Sequence, residues 1–191
     1  MSNRIKHSAL PEDIVVSFEL FSGSSMERDH DESEAISGST LIRRMASKYL
    51  SVNILEIYTP KNEKPKAFVG DSEISISFSH TKNAISAAIS FEYIVGCDTE
   101  QIGRHINPAI INRICSDHEN REIYSDGEAL RIWTCKEAAL KMIGTGLRKP
   151  MNSIEIKKID EFLYEVDFND GKRAKICSFQ HKDHWISICF K

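Results

Sequence analysis

The chain has 191 residues, of which 41% are hydrophobic, and its 28 acidic and 25 basic residues give a formal net charge of −3. This composition supports a proper core in one large domain or two small halves. The negative charge, without a basic stripe, argues against nucleic acid as a partner. We find no N-terminal apolar stretch and no run of about 18 apolar residues, so we expect no signal peptide, no membrane span and a cytoplasmic protein.

The N-terminal part alternates strands with one helix. Residues 14–20 form the first predicted strand, and the net acidic run 27–34 is predicted to be a solvated loop. A helical apolar stripe follows within 37–50, behind a serine/threonine cap. Further strands are predicted at 54–58, 74–78 and 84–91, and in a segment that ends at Asp98.

The C-terminal part begins with helices and ends with strands. Asn107-Pro108 is a typical helix start, and the polar stretch 117–125 precedes a long predicted helix at 128–143 with a stop at Gly144. Four alternating segments then predict an antiparallel sheet: 153–158, 162–168, 173–179 and 184–190. Helix followed by strands therefore occurs twice, which indicates an α+β fold.

The five cysteines are odd in number and never spaced as Cys-x-x-Cys. This spacing indicates neither a zinc site nor a disulfide framework. We expect reduced and mostly buried thiols.

The long helix carries an aromatic residue, an acid and a base on one face. Trp133, Glu137 and Lys141 are spaced by four residues, and each step drifts by only about 40° around a helix. On a solvated helix the Glu-to-Lys pair alone is usually a surface pair, and the tryptophan alone is usually part of the core. We expect Trp133 to anchor the helix in the core so that Glu137 points into a cleft.

Two more acids lie on the strand before this helix. Asp98 and Glu100 are two residues apart, so in an extended segment they point to the same side. If Glu137 packs near them, three carboxylates converge, and their repulsion requires a cation. Oxygen ligands alone favour a hard ion such as Mg²⁺.

Several blocks occur in a fixed order between about residues 38 and 156. They are Lys64-Pro65, Ser77-Phe-Ser-His80, Val95-Gly-Cys-Asp-Thr-Glu100, Trp133-Thr-Cys-Lys-Glu-Ala-Ala-Leu-Lys141 and Gly144-Thr-Gly-Leu147. Together they resemble the 4'-phosphopantetheinyl transferases, in particular the larger, surfactin-synthetase-activating type. Glu63 stands where that family usually has a glycine before Lys-Pro.

The resemblance implies a pseudo-duplicated α+β fold with two similar halves of antiparallel sheet plus helices. Residues 1–95 would form the half that contacts coenzyme A, and residues 96–191 the half with the magnesium site and catalytic helix. The halves would form one compact unit with the active site between them, and we expect a monomer.

The resemblance also implies an activity: transfer of the 4'-phosphopantetheine arm of coenzyme A to a serine of an apo acyl or peptidyl carrier protein, with release of adenosine 3',5'-bisphosphate. It assigns Mg²⁺ to Asp98, Glu100 and Glu137. Glu137, or a metal-bound water that it orients, would accept the serine proton, and Lys141 would neutralise the pyrophosphate. The predicted coenzyme A contacts are Lys64, Ser79, His80, Asp98 and Lys141.

Some assignments have alternatives. Without the resemblance, His80 is a satisfied strand-end residue and Lys64 a solvated loop lysine. Candidates for the 3'-phosphate of coenzyme A are Arg28, Arg43 and Arg44. Candidates for docking an acidic carrier protein are Arg104, Arg113, Arg121, Arg131 and Lys136. The rival functions are a non-catalytic coenzyme A or carrier-binding homologue and an Mg²⁺-dependent phosphohydrolase.

Overall fold

The computed structural model describes residues 3–20, 30–54, 56–61, 63–125 and 127–191. A first antiparallel sheet contains β1 (Asn3–Ile5), β2 (Val15–Leu20), β3 (Glu56–Tyr58), β4 (Lys66–Val69), β5 (Ser72–His80) and β6 (Ala84–Ser90). Its strands lie in the order β1-β2-β6-β5-β4-β3. Helix α1 (His30–Met45), followed by a short π-helical turn at Ala46–Leu50, covers one face of this sheet through Leu41, Ile42 and Met45.

A second antiparallel sheet contains β7 (Val95–Gln101), β8 (Glu155–Lys158), β9 (Leu163–Asp167), β10 (Arg173–His181) and β11 (His184–Phe190). Its strands lie in the order β7-β11-β10-β9-β8. Two α-helices, α2 (Pro108–Ile114) and α3 (Ala129–Met142), precede β8, with short 3₁₀ turns at Arg121–Tyr124, Gly146–Arg148 and Met151–Ser153. Within the described ranges of the chain, we find no helix with the length and hydrophobicity of a membrane span.

Five strands of each sheet share one connectivity. In the first sheet β2 is followed by a helix and then by four strands, the last of which returns to pair with β2. The second sheet repeats this order of strands from β7 to β11, with the two helices α2 and α3 after β7. The predicted combination of helices with antiparallel sheets is therefore confirmed.

The two sheets share a buried core and are also joined by serine side chains. Val16 and Ala88 of the first sheet belong to the same apolar cluster as Ile188 of the second. Ser75 Oγ accepts a hydrogen bond from Val95 N (2.9 Å), and Ser77 Oγ accepts one from Cys97 N (2.8 Å). Strand β5 thus lies beside β7 with alternate serines facing it, because alternate residues of a strand share a face.

Most predicted elements are found, with differences at several boundaries. Asn107 caps α2 by accepting from Ala109 N (2.9 Å), and α3 ends just before Gly144, which has a positive φ of 76°. The prediction that 27–34 is a loop is wrong from His30 onward, because α1 begins there. Acidic residues are favourable near a helix N-terminus, so the charge run suits a helix start. Residues 27–29 lie outside the described residues.

One strand prediction also needs correction, and two strands were missed. Strand β7 continues beyond Asp98 to Gln101, so both acids lie within it. Strands β1 and β4 were missed, since segments of 3 and 4 residues are too short for a reliable alternation pattern. All five cysteines are buried, as expected.

Gly96 determines how closely α3 packs on β7. A Cβ atom at Gly96 would overlap the backbone of Ala138 and Met142. A larger residue would therefore push the helix away from the strand. This close approach brings the side chains of α3 within reach of Asp98, two residues farther along β7.

His184 is buried where the β10–β11 turn meets the β5–β6 turn. Its Nε2 lies 3.2 Å from both Thr81 Oγ1 and Asn83 Oδ1, while its buried Nδ1 has no hydrogen-bond partner among the described residues. Burial lowers the pKa of His184, as does charge on His181 and Lys182, whereas Asp183 opposes the shift. The folded protein therefore holds this imidazole neutral.

We expect the free energy of unfolding to decrease as the pH falls below about 6.5. The unfolded chain then binds a proton that the folded imidazole does not accept, and one such group can contribute at most about 1.4 kcal/mol per pH unit. His184→Gln should flatten this slope in urea unfolding measured between pH 7 and pH 5. The exposed His118→Gln serves as control, and an unchanged slope in His184→Gln would contradict the assignment.

Candidate active site

Helix α3 exposes one side chain per turn on the face predicted from the four-residue spacing. Trp133, Glu137 and Lys141 are partly exposed, whereas the residues between them are buried. The opposite face packs into the core of the second sheet. The open face is therefore the part of α3 that is available for chemistry.

An ion pair with a bridging hydroxyl connects β5, β7 and α3. Lys141 Nζ lies 2.7 Å from Asp98 Oδ1 and 2.9 Å from Ser79 Oγ, and Ser79 Oγ donates to the same Asp98 oxygen at 2.7 Å. Burial alone would lower the pKa of Lys141, but the Asp98 and Glu137 carboxylates raise it. The structure thus holds a charged ammonium group between the two sheets.

Glu137 is the most perturbed acid of the site. Burial, together with the neighbouring Asp98 carboxylate, raises the pKa of Glu137 to about 8, although Lys141 opposes the shift. Burial also raises the pKa of Glu100, against the effect of its hydrogen bond from Arg104. Carboxyl groups with raised pKa values that face one another are suited to accept protons or to hold a cation.

The carboxylate oxygens of these acids suit a hard cation, but they are not arranged around a common metal position. In the part of the chain that the structure describes, no three His, Cys, Asp or Glu side chains are arranged to hold a metal. Asp98 Oδ1 is bound by Lys141, and Glu100 by Arg104. The other Asp98 oxygen, Oδ2, is buried without a described hydrogen-bond partner. This orphaned atom is a suitable ligand for Mg²⁺, with Glu100 and Glu137 as the further candidates.

A groove of about 230 Å³ continues from Lys141 toward the loop after α3. Lys64 lies on its wall and against Gly144, so it is not a solvated loop lysine. Its Nζ donates to Ser75 Oγ (3.0 Å), and burial lowers its pKa. Arg148 also lines this groove, which therefore has cations at several points.

Two comparisons with known proteins bear on this arrangement. The sequence model of the 4'-phosphopantetheinyl transferase superfamily matches residues 94–189, which include Asp98, Glu100, Glu137 and Lys141. The 4'-phosphopantetheinyl transferase gsp of Aneurinibacillus migulanus is 30% identical over 169 residues, covering 78% of this chain and 69% of that protein. The chain belongs to this superfamily. The predicted resemblance and the predicted class of enzyme, a transferase, are confirmed.

Ser79 and His80 end a motif of the 4'-phosphopantetheinyl transferases, and they lie on opposite faces of β5. Ser79 faces Asp98 and Lys141, whereas strand alternation puts His80 on the face that carries Ile76 and Phe78. The side chain of His80 is exposed. His80 therefore does not share the immediate surroundings of Ser79.

The arginines predicted to bind the 3'-phosphate of coenzyme A do not form a common phosphate site among the described residues. Arg28 lies outside the described residues. Arg43 donates to the carbonyl of Ile54, and Arg44 is paired with Glu19 at 2.6 Å. These two arginines already have protein partners.

For two residues of this transferase, the predicted role in docking an acidic carrier protein is wrong, because both are buried. Lys136 is fully buried, and its Nζ contacts Glu119 and three backbone carbonyls. Arg131 is also buried, where it donates to the carbonyl oxygens of Glu161 and Ser178. Helix periodicity locates these residues on α3 but does not reveal that other parts of the chain cover them.

Sequence reasoning missed two residues of this region. Glu119 accepts from Lys136, from Tyr124 Oη (2.8 Å) and from Ile156 N (2.6 Å), and no sequence pattern marks it. Arg104 was considered only for docking, yet it pairs with Glu100. The four-residue spacing of Glu100 and Arg104 was a usable signal.

Proposed function

We propose that the protein transfers the 4'-phosphopantetheine arm of coenzyme A to a serine of an apo acyl or peptidyl carrier protein, releasing adenosine 3',5'-bisphosphate. Superfamily membership supports phosphopantetheine transfer as the general reaction. The observation that carries the proposal is the placement of Glu137 and Lys141 around Asp98. An acid, a fixed cation and an unpartnered carboxylate oxygen then lie together, as phosphoryl transfer requires.

In this mechanism the serine oxygen forms a bond to the β-phosphorus of coenzyme A, and the bond from that phosphorus to the bridging oxygen breaks. Glu137 accepts the serine proton, and Lys141 stabilises the negative charge of the departing bisphosphate. Asp98, Glu100 and Glu137 would hold Mg²⁺, which when bound supplies neutralisation of the pyrophosphate. Asp98 and Ser79 orient the Lys141 ammonium group through their hydrogen bonds.

Coenzyme A would lie along the groove between β5 and the end of α3. Lys64, Lys141 and Arg148 line it, and such cations suit the phosphates of the nucleotide. We propose Lys64, Ser79, His80, Asp98 and Lys141 as its contacts, with His80 reaching a phosphate from the outer end of β5.

We further propose that residues 1–95 and 96–191 are duplicated halves with the active site between them. The shared connectivity of β2–β6 and β7–β11 supports this division. Both sides of the site come from a single chain, which favours a monomer. Arg113 and Arg121 remain exposed and are the better candidates for docking an acidic carrier protein.

The decisive experiment incubates the protein with coenzyme A, Mg²⁺ and several apo carrier proteins, and follows the carrier by intact mass spectrometry. We expect a mass gain equal to one phosphopantetheine on the carrier serine, and no gain when that serine is replaced by alanine. Coenzyme A binding without any gain would favour the non-catalytic homologue. Cleavage of coenzyme A without a carrier would favour the phosphohydrolase.

A further inference from the structure

We infer that Arg104 is an internal counter-ion of Glu100, which must exchange this guanidinium for a divalent cation before it can act as a metal ligand. The inference rests on the proposed function, since it concerns the same carboxylates. It assigns to Arg104 a positioning role in loading the site.

The contact between Arg104 and Glu100 is local, and the turn after β7 produces it. Arg104 Nη1 donates to Glu100 Oε1. A turn after β7, closed by a hydrogen bond from Arg104 N to Gln101 O (3.1 Å), brings the arginine back over the strand end. Gly103 in this turn has a φ of 91°, a conformation that favours glycine. The pair is therefore a product of the turn rather than of a random surface encounter.

Burial distinguishes the two partners. The Glu100 side chain is 15% exposed, whereas that of Arg104 is 49% exposed. The acid is held in the site, and the cation reaches it from the solvent side. Arginine does not lose its charge at accessible pH, so Glu100 becomes free only when the pair separates. Partly exposed pairs are weak, and a divalent cation can compete with this one.

Arg104 also has a second contact on the open face of α3. Its guanidinium carbon lies 5.6 Å from the ring centroid of Trp133, which is one helical turn before Glu137. A guanidinium group is attracted to the face of an indole ring. Arg104 therefore has a place to remain when it leaves Glu100, close to the site but off the metal ligand.

Two ion pairs account for the lack of a three-acid metal cluster among the described residues. Each of the two β7 acids has a protein cation, Lys141 on Asp98 and Arg104 on Glu100. The two cations differ in kind. Lys141 is held by two partners between the sheets, whereas Arg104 is peripheral and can be displaced. Arg104 thus lowers the repulsion between the acids before a metal binds, at the expense of metal affinity.

The test is a Mn²⁺ titration of the full chain followed by electron paramagnetic resonance, with and without coenzyme A. Arg104→Gln should tighten Mn²⁺ binding about twofold to fivefold, because the competing cation is gone. Arg104→Lys keeps a cation for Glu100 and should stay near the wild-type affinity. Arg113→Gln removes the same charge from an exposed position of α2 and controls for the general field.

The control for site specificity is a double-mutant cycle. In the Glu100→Gln background, Arg104→Gln should have no more effect than Arg113→Gln. Weaker or unchanged Mn²⁺ binding in Arg104→Gln would overturn the exchange, since a purely supporting arginine would give that result. If the wild-type protein binds no Mn²⁺ under either condition, the metal site of the proposed function is wrong as well.

Discussion

Glu137→Gln should lower the rate of phosphopantetheine transfer by about 10²- to 10⁴-fold, the usual contribution of a general base. The substitution removes the ionisable carboxyl group, which is the proposed proton acceptor and metal ligand, but hardly changes the volume. Glu137 faces Asp98 from the partly exposed side of α3, so no buried packing is lost. Steady-state kinetics with an apo carrier protein measure the effect.

The fold of this variant can be checked by its stability at different pH values. A carboxyl group whose pKa is about 8 in the folded state retains a proton that the unfolded chain loses near pH 4.5. This contribution to stability is lost as the pH rises through that window. Glu137→Gln should therefore gain stability relative to the wild type between pH 5 and pH 8, by at least about 1 kcal/mol.

The exposed Glu56→Gln is the matched control, and it should leave both the rate and the pH profile unchanged. Near-normal rates for both Glu137→Gln and Glu100→Gln at ordinary Mg²⁺ concentrations would show that the site assignment is wrong. If the Glu137→Gln variant transfers slowly and is also unfolded, the loss of rate is a consequence of lost structure.

Lys136→Met should reduce the free energy of unfolding by about 3–5 kcal/mol, because it leaves Glu119 as a buried carboxylate without its cation. The side chains of Lys136 and Glu119 have no exposed surface, and the nitrogen-to-oxygen distance is 2.8 Å. Lys136 also donates to Ile114 O, Met151 O and Ile154 O. The ammonium group thus ties the end of α2 and the segment that contains Met151 and Ile154 to the helix that carries Glu137.

Urea unfolding with Lys157→Met as the exposed control measures this effect. Adding Glu119→Gln to Lys136→Met should recover part of the loss. The single amide oxygen can keep the hydrogen bond from Ile156 N, the Tyr124 hydroxyl can accept one from the amide nitrogen, and no uncompensated charge remains. A loss below about 1 kcal/mol for Lys136→Met would contradict a structural role for the pair.

Local sequence patterns predicted the elements of the candidate site well. Four-residue spacing placed Trp133, Glu137 and Lys141 on one face of α3, and those are the partly exposed residues. Two-residue spacing placed Asp98 and Glu100 together on β7. Such patterns succeed because the helix and strand repeats depend only on the backbone.

The same patterns were insufficient where neighbouring side chains compete for a partner. Lys136 and Lys141 are both lysines of α3, yet one is fully buried against loops and the other faces Asp98. Glu100 forms an ion pair with Arg104 instead of joining the other acids around one cation. Which cation meets which carboxylate depends on distances between elements, and no repeat in the sequence encodes them.

The sequence by itself determined the superfamily, the two groups of strands and the residues that could hold a cation or move a proton. The tertiary structure decided how these residues are paired. The contact of α3 with β7 at Gly96, together with the serines that join β5 to β7, brings Lys141 and Ser79 to Asp98. Because that packing depends on long-range contacts and charge interactions change steeply with distance and burial, only the folded chain shows which acids are paired and which oxygen is left without a partner.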